Sequence, residues 1–352
     1  MNRKSVQKPV QKPVQKLVQK LVQKLVLKQF ASSVEDASEI VETKISPPLA
    51  DQVLIRNRYV GINPIFDREV ARNRVALRQT VLGQTLGVEA VGEVIAVGAN
   101  VKNIKEGDAV STVIAGTAYQ THQTSCSHQV VKIPAASAEY LALIPTGVSG
   151  LVALQQVAEL RSDETCILSA AAGGLGHIVL QLIKRSNNHL IAVCGSVEKA
   201  ALCQELGADR VINYTTESID EVLTDEYPNG VNLAYDSVGQ EVFDTFADHL
   251  AIRGRLLVSG YAADFALETP AEVLQSRIYT KLYWKAASIR AFMNPVFVEF
   301  QEAAREEIID LYQSGSLRVV IDKHRFQGIE SIVEASNYLL DGLSCGKVVV
   351  EL

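Results

Sequence analysis

The sequence predicts an α/β protein in which a compact, barrel-like β domain precedes a doubly wound parallel sheet. Three observations predict it. Short β-rich runs separated by glycine-marked turns fill residues 29 to 145. From about Gly147 strand-like and helix-like runs alternate, as in a parallel sheet covered on both faces. Within that second part, residues 165–185 read TCILSAAAGGLGHIVLQLIKR. An apolar run passes through a tight Ala/Gly turn into Ile178, Val179, Leu182 and Ile183 at helical spacing. Strand, glycine turn and helix in that order form a dinucleotide-binding corner.

A chain of 352 residues is long enough for two domains, each with its own core. Hydrophobic residues at 47% and charged residues at 21% fit an ordinary globular enzyme. The net charge of −6 hides an asymmetry, because the first 28 residues hold eight of the 34 Lys/Arg and no acid. The remainder carries 26 basic against 40 acidic residues, a formal −14 that argues against a nucleic-acid partner. No uninterrupted apolar run reaches the roughly 18 residues that cross a bilayer, so no stable membrane insertion is expected. The N-terminus lacks the apolar stretch of a secretory signal, and the terminal Val350-Glu351-Leu352 is not a peroxisomal address. Cys126, Cys166, Cys194, Cys203 and Cys345 are scattered and odd in number. They read as reduced thiols, which makes the cytoplasm the expected location.

Taken in order, the elements begin with a four-residue repeat, VQKP VQKP VQKL VQKL VQKL VLKQ. On a helix this period drifts by about 40° per repeat, so no lasting apolar face forms. Pro9 and Pro13 disfavour a helix further. Residues 1–22 are expected to be a disordered cationic tail, with a membrane-surface or partner-binding arm as the alternative. Leu25–Gln29 should supply the first strand of a domain spanning 23–146. Its other β-rich runs are 52–60, 89–97, 109–114 and 127–133. The second domain, 147–294, has strands expected at 165–169, 189–194, 210–214, 232–237, 255–259 and 287–292, with helices between most of them. A long helix over 298–314 and a β-rich end, 346–352, should form a 295–352 segment that returns to the first domain.

The chemistry rests first on the glycine turn. Gly173 lets the backbone approach a pyrophosphate, and Gly176 lets the helix pack tightly on the sheet. The helix N-terminus offers free N–H groups and partial positive charge to the phosphates. Ala171 stands where the first glycine of the usual pattern falls, so the match is A-x-G-x-x-G. The strand after the turn ends in Cys194, Gly195 and Ser196, with Lys199 close behind. An NAD site usually places Asp or Glu there to hold the ribose hydroxyls. A missing carboxylate and a nearby cation suit the 2′-phosphate of NADPH. Asn213 and Tyr214, at the end of the next strand, can close the same pocket.

Metal is the second question. His122, Cys126 and His128 lie near each other in sequence, but their spacing matches no usual zinc pattern, and the segment reads as a loop running into a strand. No metal is expected. Without zinc, reduction of a simple ketone is difficult. Hydride addition to the β-carbon of an enone, or to a quinone, is easier because conjugation spreads the developing charge. A hydrogen-bond donor near the enolate oxygen then suffices.

Several blocks in order resemble the medium-chain dehydrogenase/reductase superfamily, in its zinc-independent quinone oxidoreductase and enone reductase branch. They are IRNRYVGIN (55–63), GVEAVGEVIAVG (87–98), AAAGGLG (170–176), GADRVINY (207–214), YDSVGQEVFD (235–244), GRLLVSGY (254–261), AAS (286–288) and GKVVVEL (346–352). The resemblance covers about residues 25–352. It implies a GroES-like β-barrel catalytic domain, a Rossmann domain and a cleft between them. It also implies NADPH-dependent reduction of a conjugated double bond, in substrates such as 15-oxoprostaglandin-like or oxo fatty-acid-like enones. Where zinc-dependent relatives carry GHE, this chain has Gly87-Val88-Glu89, and Val88 cannot bind a metal.

Carried over by position, the resemblance places the cofactor against Ala172, Gly173, Gly174, Leu175 and Gly176 of the turn. Further contacts are expected from Gly195, Ser196, Lys199, Tyr214, Ser237, Ser259, Gly260 and Tyr261. Phe292, Met293 and Asn294 should flank the nicotinamide. Asn63 should line the substrate cleft, against the plainer role of a turn residue before Pro64. The family tyrosine beyond GRLLV aligns with Phe265, so the phenol that protonates the enolate is expected at Tyr261, or else is dispensable. The asparagine expected before T-G-K is Ser344. Arg68, Arg72, Arg74 and Arg78 can hold an acidic substrate or form a solvated basic face. The alternative enzyme is an NADPH:quinone reductase, and a third reading is an NADPH-sensing binding protein with the repeat as its partner arm. Relatives pair Rossmann sheet edges into homodimers, which would put the 287–292 strand at the interface.

Overall fold

The computed structural model describes residues 21–75, 78–267 and 272–352, which form two compact units. The first comprises the described residues up to Leu141 with Phe326–Val333 and Val350–Leu352. Strands β1 (Leu21–Leu27) and β2 (Ser38–Lys44) make an antiparallel ribbon. β1 begins earlier than expected, so Leu21 and Val22 belong to the folded body and not to the tail. The remaining tail residues, 1–20, lie outside the described residues. Val22, Leu25, Val26 and Leu27 are buried, and that burial turns a repeat without a helical face into a strand. Backbone bonds from Leu25 N to Tyr119 O and from Leu27 N to Gln84 O fix β1 to the unit.

The main sheet of this unit contains β3 (Gln52–Gly61), β4 (Glu89–Val97), β5 (Ala109–Val113), β6 (His122–Cys126) and β7 (Val130–Lys132). Its order is Phe326–Gln327, Val349–Glu351, β3, β4, β5, β7, with β6 paired to β3. Val53, Ile55, Val94, Ile104, Val110 and Val130 fill its interior. A buried polar seam crosses it. Asn57 Nδ2 donates to the carbonyls of Ala118 and Gln120, and Gln123 Nε2 donates to Asn57 Oδ1 and Thr112 Oγ1. Two expectations change here. His122–Cys126 is a strand, not a loop, because it pairs antiparallel with β3 over five residues. The expected 127–133 strand starts with a 3-10 turn, Ser127–Gln129, and only Val130–Lys132 pairs.

The second unit holds a six-stranded parallel sheet of β8 (Thr165–Leu168), β9 (His189–Cys194), β10 (Arg210–Asn213), β11 (Val231–Asp236), β12 (Leu250–Val258) and β13 (Ser288–Ala291). Its order is β10-β9-β8-β11-β12-β13, the doubly wound arrangement whose switch point lies between β8 and β11. Helices α2 (Gly176–Lys184), α3 (Val197–Glu205), α4 (Ile219–Glu226) and α5 (Gln240–Asp248) connect the strands; helix α1 (Pro64–Ala71) lies in the first unit. Ser196 and Ser218 cap α3 and α4 by accepting the N–H groups of Lys199 and Glu221. The core joins Ile167, Ile191, Val193, Ile212, Phe246 and Leu256.

Helix α6 (Gln301–Gln313) belongs to this second unit, which differs from the expected return to the first. Ala304 and Ile308, one turn apart, are its buried face, and Ile308 reaches a position 3.1 Å from where a Cβ on Gly147 would lie. Only residues 326–333 and 350–352 return. The helix Ala138–Val157 is long and apolar enough by length and composition to cross a membrane, a feature the run-length reading missed. Of its most apolar window, 67% is buried within the protein, as in a core helix.

Arg255 and Glu164 form a buried two-pronged ion pair, with Nη1–Oε1 at 2.9 Å and Nη2–Oε2 at 2.6 Å. Arg255 Nε also donates to the Ala158 carbonyl. The pair ties the start of β8 to β12 and to the end of the long helix. Arg255→Met strands the Glu164 carboxylate without its guanidinium. It is expected to cost about 3–5 kcal/mol in urea unfolding, and adding Glu164→Leu should restore most of that loss.

Candidate functional site

The glycine turn is shaped by crowding. After β8, Ala170 adopts φ 48°, and its carbonyl accepts the Gly173 N–H at 2.9 Å. A Cβ on Gly176 would lie 2.1 Å from that same carbonyl oxygen, so only glycine lets α2 begin here. The N–H groups of Leu175 and Gly176 donate to no acceptor among the described residues, whereas the parallel bridge between Gly173 and Gly346 directs the Gly174 N–H at Gly346. Leu175 and Gly176 stand at the positive end of α2, beside Ala172 and Gly173, an arrangement able to hold a phosphate. The Lys347 side chain crosses the turn, with Cδ 3.1 Å from a Cβ placed on Gly174.

At the end of β9, Gly195 gives way to the Tyr214 ring: a Cβ there would lie 2.2 Å from the Tyr214 hydroxyl. Tyr214 N bonds the Cys194 carbonyl, and its ring is 58% exposed, free to stack on a flat ligand. Ser196 caps α3, and Lys199 Nζ rests on the Gly342 carbonyl at 2.5 Å. The carboxylate nearest the end of the strand, Glu198, is held by Lys323 at 2.7 Å, which keeps its pKa below the ordinary range. This end of the strand therefore carries Lys199 and Lys323, with Glu198 paired to the second.

The ends of β11 and β12 meet at Asp236, which is fully buried. It accepts from Ser169 Oγ and from the N–H groups of Val238 and Gly239. Burial still raises its pKa above the usual carboxylate value. This knot sets out Ser237 and Ser259, whose hydroxyls lie 2.8 Å apart, and then Gly260 and Tyr261. Tyr261 is 46% exposed, and its ring packs on buried Phe265 at 4.8 Å between centroids. Phe292 follows β13, bonded through its N–H to Val258 O. Met293 is exposed, and Asn294 is gripped at its backbone and side-chain oxygens by Gln301 Nε2.

In the first unit, Asn63 precedes α1 and its side chain makes no capping bond. Beside it Tyr119 donates to Asp67 Oδ2 at 2.5 Å, both residues buried. Burial first, then Asp67, pushes the Tyr119 phenol well above its ordinary pKa. Arg68 and Arg72 bond the Ser32 carbonyl, and Arg78 bonds Ala115 O and Gln84 Oε1. Three of the four arginines are thus tied to oxygens within the unit. Among the described residues no three His, Cys, Asp or Glu side chains gather as metal ligands.

The sequence reading missed His177, Asp236 and Lys347. His177 Nδ1 lies 2.9 Å from Gly173 O, and Val320 N donates to its Nε2 at 3.1 Å. These partners assign the neutral ring, protonated at Nδ1. Burial is the main cause holding its pKa down to about 4, with Lys347 and Arg318 adding repulsion. The signals were present: a histidine inside a helix start, and the residues next to Ser237 and Gly346.

A glycine turn of this kind, on a parallel sheet with a lysine-flanked strand end and a separate β unit, defines a dinucleotide-dependent enzyme class. Residues 174–306 match the zinc-binding dehydrogenase family, and residues 49–156 match the alcohol dehydrogenase GroES-like domain. The chain belongs to the medium-chain dehydrogenase/reductase superfamily. It is 35% identical over 310 residues to prostaglandin reductase-3 of Mus musculus, covering 85% of this chain and 81% of that one. It is 30% identical to a probable quinone oxidoreductase of Leishmania amazonensis over 76% of this chain and 79% of that one. The crystal structure of Escherichia coli quinone oxidoreductase complexed with NADPH aligns with a TM-score of 0.80 at 25% identity, over 94% of this chain and 100% of that one.

His177 makes stability depend on acid. In the unfolded chain the imidazole titrates near its model value of 6.5, and in the fold near 4. Its contribution is therefore whole above pH 6.5 and is lost as pH falls towards 4. The loss is expected to approach about 3 kcal/mol, read as a falling urea midpoint that His177→Asn flattens.

Proposed function

We propose that the chain is a zinc-independent, NADPH-dependent oxidoreductase that reduces the conjugated double bond of enones. The substrate class is an apolar enone of the 15-oxoprostaglandin or oxo fatty-acid type. The observation that carries the cofactor is the phosphate cradle together with a lysine-flanked strand end that offers no free carboxylate. The N–H groups of Leu175 and Gly176, beside Gly174, suit the pyrophosphate. Ser196 and Lys199 suit the 2′-phosphate, with Tyr214 beside the adenosine. Ser237, Ser259, Gly260, Phe292, Met293 and Asn294 suit the nicotinamide half. The prostaglandin reductase and quinone oxidoreductase relatives support the same cofactor and reaction class.

Bound NADPH supplies a hydride to the β-carbon of the acceptor. The chain's own groups do the rest. Asn63, its amide unused by the α1 cap, orients the carbonyl of the substrate. Tyr261, exposed beside Gly260, holds the proton that completes reduction. Zinc independence is supported by the donor set, since the Val88 side chain has no lone pair where a ligand would stand, and by the spacing of His122, Cys126 and His128, which matches no usual zinc pattern. The quinone oxidoreductase relatives favour a second reading, NADPH:quinone reduction at the same residues.

We further propose a homodimer built on β13, an edge strand of the sheet. Leu274, Tyr283 and Trp284 are strongly exposed in the segment before it, apolar side chains that a sheet-edge interface could cover. The free thiols suit a cytoplasmic location.

The deciding assay is NADPH oxidation by chelator-dialysed protein, with a long-chain acidic enone and an aromatic quinone side by side. Enone turnover with a saturated product supports the first reading, and turnover of the quinone alone the second. Lys199→Ala should raise KM for NADPH about tenfold while leaving NADH unchanged. Tyr261→Phe should lower kcat on the order of 10²-fold at unchanged KM for NADPH. In sedimentation, Trp284→Asp is expected to shift a dimer to monomer.

A further inference from the structure

We infer that His177 is a positioning residue for the cofactor, which fixes the phosphate turn by bonding it to the C-terminal segment of its unit. The inference rests on reading Ala172–Gly176 as the pyrophosphate cradle. His177 is fully buried one residue into α2, and each ring nitrogen has a backbone partner. Nδ1–H donates to Gly173 O, and Nε2 accepts from Val320 N–H.

These two bonds close a circuit. Lys347 N donates to Val320 O at 2.9 Å, and Gly346 N donates to Ala172 O at 2.8 Å. The path therefore runs from Ala172 to Gly173, through His177 to Val320, on to Lys347 and Gly346, and back to Ala172. Every link but His177 is main chain. Removing the ring opens the circuit at one place and takes from the Gly173 carbonyl its side-chain donor, leaving the helix bond from His177 N and the backbone bridge to Gly346. The peptide planes of Gly173 and Gly174 aim the cradle's N–H groups, so freedom there weakens phosphate binding without touching the adenosine end. Lys347, whose side chain lies against Gly174, is placed by the same circuit.

A ring does what no single amide does, because it donates on one edge and accepts on the other at fixed separation. Asn can reproduce the Nδ1 edge and Gln the Nε2 edge. That difference separates positioning of the turn from mere filling of space.

The test measures affinity for NADPH and for 2′-AMP, which carries the 2′-phosphate but no pyrophosphate. His177→Leu is expected to weaken NADPH about tenfold or more, about 1.4 kcal/mol, and to leave 2′-AMP within about twofold. His177→Asn should recover most of the NADPH affinity, and His177→Gln should not. Unchanged NADPH affinity in folded His177→Leu overturns the inference, and so does an equal loss for both ligands. Should the Leu variant fail to fold, Asn binding NADPH more tightly than Gln supports the inference, and equal or reversed affinities overturn it. Gly173→Val serves as the control on the cradle itself. If it leaves NADPH binding intact, the cradle reading falls with the inference. If it weakens NADPH while His177→Leu does not, only the role of His177 falls.

Discussion

Backbone crowding around the Ala170 carbonyl is the constraint on which the rest of the second unit depends. One oxygen receives the Gly173 N–H and stands where a side chain at position 176 would have to be. Because that side chain is absent, α2 begins at once. Because it begins at once, the N–H groups of Leu175 and Gly176 are left without acceptors among the described residues at its tip. Unpaired donors are costly in a core and at a surface can meet water or an anion. The sheet order then puts this tip at the switch point between β8 and β11, where connections leave in opposite directions and a ligand finds room.

Buried polar groups do the cross-tying that apolar packing alone does not specify. Glu164 with Arg255 ties the start of β8 to β12, and Asp236 gathers the loops that carry Ser237 and Ser259. In the first unit the Asn57–Gln123–Thr112 seam fixes the neighbours of β3. Each such group is costly when left alone and directional when paired. They therefore choose one arrangement among the several a hydrophobic interior tolerates.

The sequence was most legible where local chemistry and long-range order agree. The parallel strands could be placed because apolar runs and helical spacing alternate, and the glycine turn because its steric demand is written in residue type. Legibility failed where partners lie far apart in the chain. β6 looked like a loop because His122–Cys126 has no strong strand composition, and only pairing with β3 makes it one. Helix α6 was assigned to the wrong unit because its two buried residues reveal that it packs, not what it packs on. Arg68, Arg72 and Arg78 read as a charged segment because their carbonyl partners, Ser32 O and Ala115 O, are main-chain groups that no sequence displays. His177 went unremarked for the same reason.

Strand β1 draws its residues from a tandem unit of four, an even number. Sliding the chain by one unit would therefore keep every side chain on its own face. Leu21, Val22, Gln23, Lys24, Leu25 and Val26 would each be replaced by the same residue type, from positions 17 to 22. Leu27, fully buried, alone would be exchanged for a glutamine. A single leucine thus distinguishes the true strand from its copy, and the alignment of the N-terminal ribbon is a lock with one pin. Lengthening or shortening the repeat by whole units upstream of that leucine would change the reach of the basic segment while leaving the ribbon as it is.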